Sequence, residues 1–179
     1  KRYIEKPNIP PLFDSTLSNS FDLFRNAGCQ DLGLAWVIVI GLSETSIASK
    51  VDYATGAVIA RFEPEELLSS VPKILEIANI DAVKLGNMWS DDIRPQHWNQ
   101  MIQACQTAFD SGSVGVVITH GTDTLHVSAA ALSFAFAGEG GRPSGRIVFT
   151  GSQRSSDRAS SDATENLLSA VYWAANGPP

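Results

Sequence analysis

Residues 114–125 read VGVVITHGTDTL, and this stretch decides the fold. An apolar run, 114–118, stops abruptly at a cluster of small polar residues, and an alanine-rich helical pattern follows. That order is typical of a buried parallel strand that feeds a loop and then a helix. In such folds, ligands bind beyond the carboxyl ends of the strands. The pattern therefore predicts that the HGTDT segment, 120–124, lies at the functional edge of a sheet.

The HGTDT segment has two interpretations. Thr and Asp are common N-cap residues, so the simpler interpretation is a helix start. The functional interpretation uses the chemistry of the side chains. Gly121 lets the backbone approach a ligand closely, and Thr122 and Asp123 supply a hydroxyl and a carboxylate. A helix N-terminus, with its free N–H groups, also favours anions.

The composition is that of one ordinary globular domain. The chain has 179 residues, of which 44% are hydrophobic and 18% are charged, with a net charge of −6. That content is enough for a sizeable core. The negative net charge argues against direct nucleic-acid binding by this chain alone, because phosphate binding needs clustered Lys and Arg. The apolar runs are shorter than a bilayer requires, and no leader pattern opens the sequence, so no membrane association is expected.

Neither the cysteines nor the histidines form a metal-binding pattern. Cys29 and Cys105 have no metal-ligand spacing and no disulfide framework, so a reduced, cytoplasmic setting is expected. The histidines at 97, 120 and 126 lack carboxylate or cysteine partners at ligand spacing. The sequence therefore predicts no metal and no cofactor.

The chain divides into an irregular N-terminal arm, 1–35, and an α/β domain, 36–179. The arm is punctuated by prolines and has no clean hydrophobic period. In the domain, strands alternate with helices, which predicts a parallel sheet. A turn-rich excursion with a possible hairpin interrupts the alternation at 50–62. The predicted strands are 36–40, 82–88, 114–118 and 146–150, and the predicted helices are 64–78, 95–109, 123–137 and 162–175.

Two local signals refine the helices. Pro72 lies inside the helix predicted at 64–78, where it removes a hydrogen bond and is expected to kink the helix. Asp162 and Glu165 have capping-box spacing ahead of the last helix.

Five stretches from Ile47 onward carry a resemblance: IASKVDYATGAV, FEPEELLSSVPKILEIANI, WSDDIRPQHW, GVVITHGTDTLHVSAAALSF and GSQRSSDRASSDATENL. They resemble the asparaginase family, and most closely its branch of archaeal glutamyl-tRNA(Gln) amidotransferase D subunits. The resemblance implies a three-layer, flavodoxin-like α/β fold of the asparaginase N-terminal domain type, with a parallel sheet and helices on both faces. In the family a smaller C-terminal domain follows, and residues that match it are expected to lie beyond Pro179, the last residue of this sequence.

The resemblance also implies a chemistry. In the family, a threonine hydroxyl attacks the side-chain amide of asparagine or glutamine, and ammonia leaves. Thr122 and Asp123 match the family's proton-transfer group, which includes a lysine. Ser90 and Asp91 match the pair that holds the substrate's α-carboxylate and α-amine. Tyr53 matches a tyrosine of the mobile loop over the nucleophile.

Two departures from the family pattern stand out. The Thr-Gly-Gly-Thr loop that carries the nucleophile is absent, and residues 43–46, SETS, occupy its place. Ser43 then stands at the nucleophile position, with Thr45 the rival if the loop is shifted. The family's lysine lies beyond Pro179, so no residue here matches it.

Two functions remain open at this point. The first is amide hydrolysis that releases ammonia from asparagine or glutamine, which the amidotransferase branch passes to an E-subunit partner. The second is a catalytically inactive domain that serves as a structural or interaction subunit of a larger complex. In either case a homo-oligomer or larger complex is expected, since the family completes its site with a neighbouring subunit. The residues expected to meet in one pocket are Ser43 or Thr45, Tyr53, Ser90, Asp91, Thr122 and Asp123.

Overall fold

The computed structural model describes residues 34–43, 49–52, 54–55, 58–60, 69–137 and 145–178. All of them belong to one unit, Asp31–Pro179. The arm predicted at 1–35 therefore lies almost wholly outside the described residues. So does the first part of the helix predicted at 64–78.

Strands and helices alternate along the described part of the chain. The helices are α1 (Pro95–Asp110), α2 (Leu125–Phe136) and α3 (Ala163–Asn176). The strands are β1 (Trp36–Ser43), β2 (Ser49–Val51), β3 (Val58–Ala60), β4 (Asn79–Asn87), β5 (Gly115–Thr119) and β6 (Arg146–Thr150).

Four parallel strands form the main sheet, in the order β4-β1-β5-β6. If the four strands of this sheet are numbered by their order along the chain, their order across the sheet is 2-1-3-4, which matches the start of the flavodoxin-like order. The predicted strand at 146–150 is confirmed to the residue, and the strand predicted at 114–118 is displaced by one. The predicted parallel sheet is therefore confirmed.

Helices cover both faces of this sheet, which confirms the three-layer α/β prediction. Val37 and Val39 of β1 share a buried cluster with residues of α3. The alternate β1 residues are equally buried and, because side chains alternate along a strand, they face the opposite layer. That layer consists of α1 and α2, which contact β5 and β6 respectively.

The strand β4 begins at Asn79, three residues before its predicted start. Its first residue is tied to the chain before β1 by two hydrogen bonds. The Asn79 backbone N–H donates to the Ala35 carbonyl at 2.9 Å, and its side-chain amide donates to the Leu34 carbonyl at 2.8 Å. These long-range bonds extend the parallel pairing beyond the apolar run from which the strand was predicted.

The helix prediction at 64–78 is wrong over its second part. Residues 69–70 are helical, but Val71 leaves the helical conformation with φ −132° and ψ 64°. A 3₁₀ helix, Pro72–Glu76, follows with the proline in its first turn. Proline has no N–H, its ring blocks the preceding turn, and the residue before it is disfavoured in the α region. Pro72 therefore ends the α-helix instead of kinking it.

Of the remaining local predictions, two are confirmed and one is wrong. The hairpin is confirmed, because β2 pairs antiparallel with β3. The helix predicted at 95–109 is confirmed as α1, and Gly112, with φ 92°, follows it. The capping box at α3 is wrong, because Asp162 makes no capping bond to its own helix and uses its carboxylate elsewhere.

Position in the sheet separates two strands of similar composition. All five residues of β5 are buried, whereas the first four residues of β6 are only half-buried. β6 is the last strand of the described sheet, so one of its sides has no neighbouring strand there. A groove of about 640 Å³ runs along that side, lined by apolar side chains of α2, β6 and Trp173. None of the helices described is long and apolar enough to cross a membrane.

Candidate active site at the carboxyl edge of the sheet

The carboxyl ends of the strands meet at one edge of the sheet. Thr119, the last residue of β5, is level with Gly41 of β1 on one side and with Thr150 of β6 on the other. Ser43, the last residue of β1, is level with Asn87 of β4. The segments that leave these strands therefore start side by side, as parallel strands require.

The segment that contains Ser90 packs directly on the loop after β5. A Cβ added at Gly121 would lie 2.6 Å from the Ser90 Cβ, so glycine is what permits this approach. The Thr124 hydroxyl donates a hydrogen bond to the Ser90 carbonyl at 2.8 Å. The Thr124 side chain therefore bonds to the Ser90 segment and does not cap α2.

The loop after β6 approaches the same place from the other side. A Cβ at Gly151 would lie 2.6 Å from the His120 carbonyl oxygen and 3.2 Å from Cγ2 of Thr122. The His120 backbone N–H donates to the Thr150 carbonyl at 2.8 Å. The three loops after β4, β5 and β6 thus pack into one arrangement, with HGTDT in the middle.

The candidate side chains differ in exposure. Ser90 is buried and begins a 3₁₀ helix, Ser90–Asp92, while Asp91 is exposed. Thr122 is half-buried and Asp123 is exposed. Ser43 is the last residue of β1 and pairs with β4 as a strand residue. The sequence instead predicted that Ser43 begins the loop, 43–46, that carries the nucleophile. Thr45 and Tyr53 lie outside the described residues, so the single pocket predicted from the sequence stays a prediction.

His120 is a functional candidate to which the sequence assigned no role: it belongs to the segment predicted at the edge of the sheet, and it was excluded as a metal ligand. It is fully buried, and both ring nitrogens are within hydrogen-bond distance of a partner. Burial lowers the pKa of its imidazole, against an opposing effect of the hydrogen bond to Gly121. The ring is therefore neutral at physiological pH. Its partners are Ser128 on α2 and, through Ser128, Trp98 on α1.

The loop 151–162 is ordered by the Asp162 carboxylate. This group accepts the Gln153 N–H at 3.0 Å, the Arg154 N–H at 3.3 Å and the Asn166 amide at 2.8 Å. The hydrogen bonds, led by that from Gln153, hold the pKa of Asp162 below its ordinary value. Asn166 also donates to the Gly151 carbonyl at 2.9 Å, which fixes the end of the loop nearest Thr122.

Neither metal binding nor cysteine chemistry finds support among the described residues. No group of three His, Cys, Asp or Glu side chains among them could hold a metal ion. Cys105 is buried on α1, and burial raises the pKa of its thiol to about 12, so it is not a nucleophile. The apolar groove along β6 is lined by none of the candidate residues that the structure describes.

The architecture and the gathered loops define a class: a doubly wound α/β domain whose candidate site lies at the carboxyl edge of its sheet. The family model described as "Asparaginase, N-terminal" matches residues 37–178. The chain therefore belongs to the asparaginase family, through the N-terminal domain of that family.

Relatives of known sequence agree. The D subunit of the glutamyl-tRNA(Gln) amidotransferase from Pyrococcus abyssi is 47% identical over 142 residues, which are 79% of this chain and 31% of the relative. The corresponding protein of Archaeoglobus fulgidus is 49% identical over 139 residues, 78% of this chain and 32% of the relative. The chain thus spans about a third of the length of these relatives.

Solved structures give the same fold. A probable cytoplasmic L-asparaginase from Campylobacter jejuni matches with a TM-score of 0.70 and 28% identity, over 79% of this chain and 42% of its own. The thermostable L-asparaginase from Thermococcus kodakarensis matches with a TM-score of 0.66 and 31% identity, over 80% and 42% respectively. The resemblance seen in the sequence is confirmed.

Proposed function

We propose that this chain carries part of the site of an amidohydrolase that releases ammonia from glutamine or asparagine, in the manner of the D subunit of a Glu-tRNA(Gln) amidotransferase. The observation that carries the proposal is the packing of the Ser90 and Gly151 segments on the HGTDT loop. It occurs in a chain that is 44–49% identical to proteins of that name.

Each candidate residue has a proposed role. Thr122 and Asp123 handle the proton, and Ser90 and Asp91 hold the α-carboxylate and α-amine of the amino acid. Ser43 or Thr45 supplies the hydroxyl that attacks the amide carbon, and Tyr53 closes over it. The residue types fit the chemistry, which needs a hydroxyl nucleophile, a nearby proton acceptor and donors for the developing oxyanion.

A second function has a specific observation in its favour. Ser43 is paired with Asn87 as the last residue of β1, so a strand residue stands where the family has the first residue of a glycine-rich loop. Glu44 replaces the first glycine of that loop. A catalytically inactive asparaginase-like domain, acting as a structural or interaction subunit, accommodates both features. We expect this second function to describe the chain when it is assayed by itself.

A coupled ammonia assay with glutamine and asparagine separates the two functions. We expect little or no turnover from residues 1–179 assayed by themselves, because this stretch holds no match for the lysine of the family's proton-transfer group, and the absence of such a partner typically costs about 10²- to 10⁴-fold in rate. Robust turnover that Thr122→Ala abolishes would instead establish the amidohydrolase and refute the inactive domain. Thr107→Ala, a change of the same type at an exposed position on α1, is the matched control.

If no turnover appears, a rescue shows whether the site is only interrupted. The rescued protein carries Ser43→Thr, Glu44→Gly and Thr45→Gly, fused to a family C-terminal half. If ammonia release is recovered, the site is an interrupted amidohydrolase site in which these residues have the proposed roles. A folded fusion with no release would mean that the site has diverged beyond them.

The proposed partners follow from the same relatives. We propose assembly into a homo-oligomer or a larger amidotransferase complex in a cytoplasmic setting, with an E subunit supplying most contacts to tRNA. The net charge of −6 supports that division of labour, since nucleic-acid binding favours basic surfaces. Sedimentation of the chain as a stable monomer, also in the presence of an E subunit, would contradict it.

A further inference from the structure

His120 joins the HGTDT loop to the helices beneath it. Its side chain is fully buried, its Nδ1 lies 2.7 Å from the Gly121 carbonyl oxygen, and its Nε2 lies 2.8 Å from the Ser128 hydroxyl. The Trp98 indole N–H, on α1, donates to the same hydroxyl at 3.0 Å. One imidazole therefore contacts its own loop on one side and two helices on the other.

The direction of every hydrogen bond in this network is fixed. A carbonyl oxygen can only accept, so Nδ1 carries the proton. In the neutral ring Nε2 is then an acceptor, and the Ser128 O–H donates to it. The Ser128 oxygen in turn accepts the indole N–H of Trp98, which can only donate. The network has one consistent tautomer, and each of its polar groups is satisfied in it.

The bond to Gly121 orients the peptide that leads into Thr122. In a trans peptide the C=O of one residue and the N–H of the next point in opposite directions. With the Gly121 carbonyl held against the imidazole, the Thr122 N–H points away from the imidazole. The far end of the loop is held separately, by the bond from Thr124 to the Ser90 carbonyl.

We propose that His120 is a positioning residue for Thr122 and Asp123, acting through the hydrogen bond from its Nδ1–H to the Gly121 carbonyl. The proposal rests on the proposed function, since that function gives Thr122 and Asp123 their roles. The alternative is a histidine that only fills the core, for which the two ring nitrogens would matter equally to the loop.

Two substitutions separate the ring nitrogens. In His120→Asn the side-chain amide reaches the place of Nδ1, so the bond to Gly121 is kept and the bond to Ser128 is lost. In His120→Gln the amide reaches the place of Nε2, so the losses are reversed. Ser128→Ala removes the Nε2 partner without changing His120, so it repeats the loss made in His120→Asn with the imidazole intact. It keeps the proposal falsifiable if His120→Gln fails to fold, because a loop disturbed by Ser128→Ala would contradict the proposal.

Backbone amide resonances of residues 121–124 report the loop without any ligand. We expect His120→Asn and Ser128→Ala to leave these resonances close to the wild-type positions, and His120→Gln to shift them and speed their hydrogen exchange. Ring nitrogen correlations in the wild type should show the proton on Nδ1. Equal loop changes in the two His120 variants, a loop disturbed by Ser128→Ala, or a proton on Nε2 would each overturn the proposal.

Titration with L-asparagine, L-glutamine and L-aspartate adds the functional readout. His120→Asn should keep the wild-type affinity, and His120→Gln should lose about tenfold or more, which corresponds to about 1.4 kcal/mol. If the wild type responds to none of these ligands, ligand binding by the proposed site fails. The loop resonances still decide the role of His120 in that case, so the two failures are distinguishable.

Discussion

The loops after β5 and β6 start from matching positions and are held in opposite ways. Thr119 and Thr150 are level with each other in the sheet, and a glycine follows each within two residues. The first loop is held by a buried, uncharged group, the His120 imidazole, whose other ring nitrogen contacts Ser128. The second is held by the Asp162 carboxylate, which accepts backbone N–H groups in an exposed loop.

This difference determines how each loop responds to change. A buried polar group that loses its partner keeps its full desolvation cost, whereas an exposed group exchanges the lost partner for water. The bonds of Asp162 also lie where solvent and salt screen charge. We therefore expect the loop after β5 to be rigid and coupled to the stability of the domain, and the loop after β6 to be independently adjustable.

The largest expected effect comes from Ser128→Ala. The substitution leaves both His120 Nε2 and the Trp98 indole N–H without a protein partner, at about 1–3 kcal/mol for each orphaned group. We expect about 2–6 kcal/mol of lost stability in urea unfolding followed by circular dichroism. Ser133→Ala, on the exposed side of the same helix, is the control and should change stability by less than about 0.5 kcal/mol. Equal effects would show that the buried network contributes nothing special.

A smaller effect is expected where the two loops touch. Gly151→Ala places a Cβ 2.6 Å from the His120 carbonyl oxygen, a backbone atom that cannot move alone. Crowding of this kind costs about 1–3 kcal/mol. Gly86→Ala is the matched control, because its Cβ would meet only the flexible end of Met88 at 2.7 Å. Calorimetric melts of the two variants should differ; if they coincide, the loops are not packed as tightly as described.

The smallest expected effect is on pH dependence, and it separates the two loops. The folded pKa of His120 lies below 6.5, so the unfolded chain binds a proton that the folded chain does not, and stability falls as pH drops below about 6.5. The folded pKa of Asp162 lies below 3.8, so its contribution is complete above that value and is lost only as pH falls through the folded pKa. Melting temperatures recorded from about pH 7.5 to 5 should decline less in His120→Asn than in wild type. Over that range Asp162→Asn should leave the slope unchanged, and a changed slope would contradict this assignment.

Much of the fold was predictable because its signals are local. The apolar run of β6 and the periodic pattern of α1, which starts at Pro95, each encode an element without reference to the rest of the chain. The predictions failed where a local signal met a competing one. The long apolar period around Pro72 predicted a kinked helix, but the conformational restriction on Val71 ended the helix.

The candidate site was predictable only in part, because its contacts join distant residues. Ser128 is eight residues from His120, and Trp98 is 30 residues from Ser128, so neither pairing has a signature in the sequence. The capping-box spacing of Asp162 was a real local signal, but the carboxylate bonds to backbone N–H groups nine and eight residues earlier. The sequence does place a hydroxyl, Ser128, within an alanine-rich helix. That position indicates a buried polar group, but it does not indicate that His120 is its partner.

The groove along β6 has a consequence for anyone who measures these stabilities. Its volume of about 640 Å³ and its apolar lining are within the range of cavities that accept drug-sized organic molecules. We therefore expect a fluorescent dye of the kind used to follow heat denaturation to bind the folded protein and to fluoresce before unfolding begins. The starting signal of such a melt will report occupancy of the groove, and Trp173, which lines it, provides an intrinsic probe of the same event.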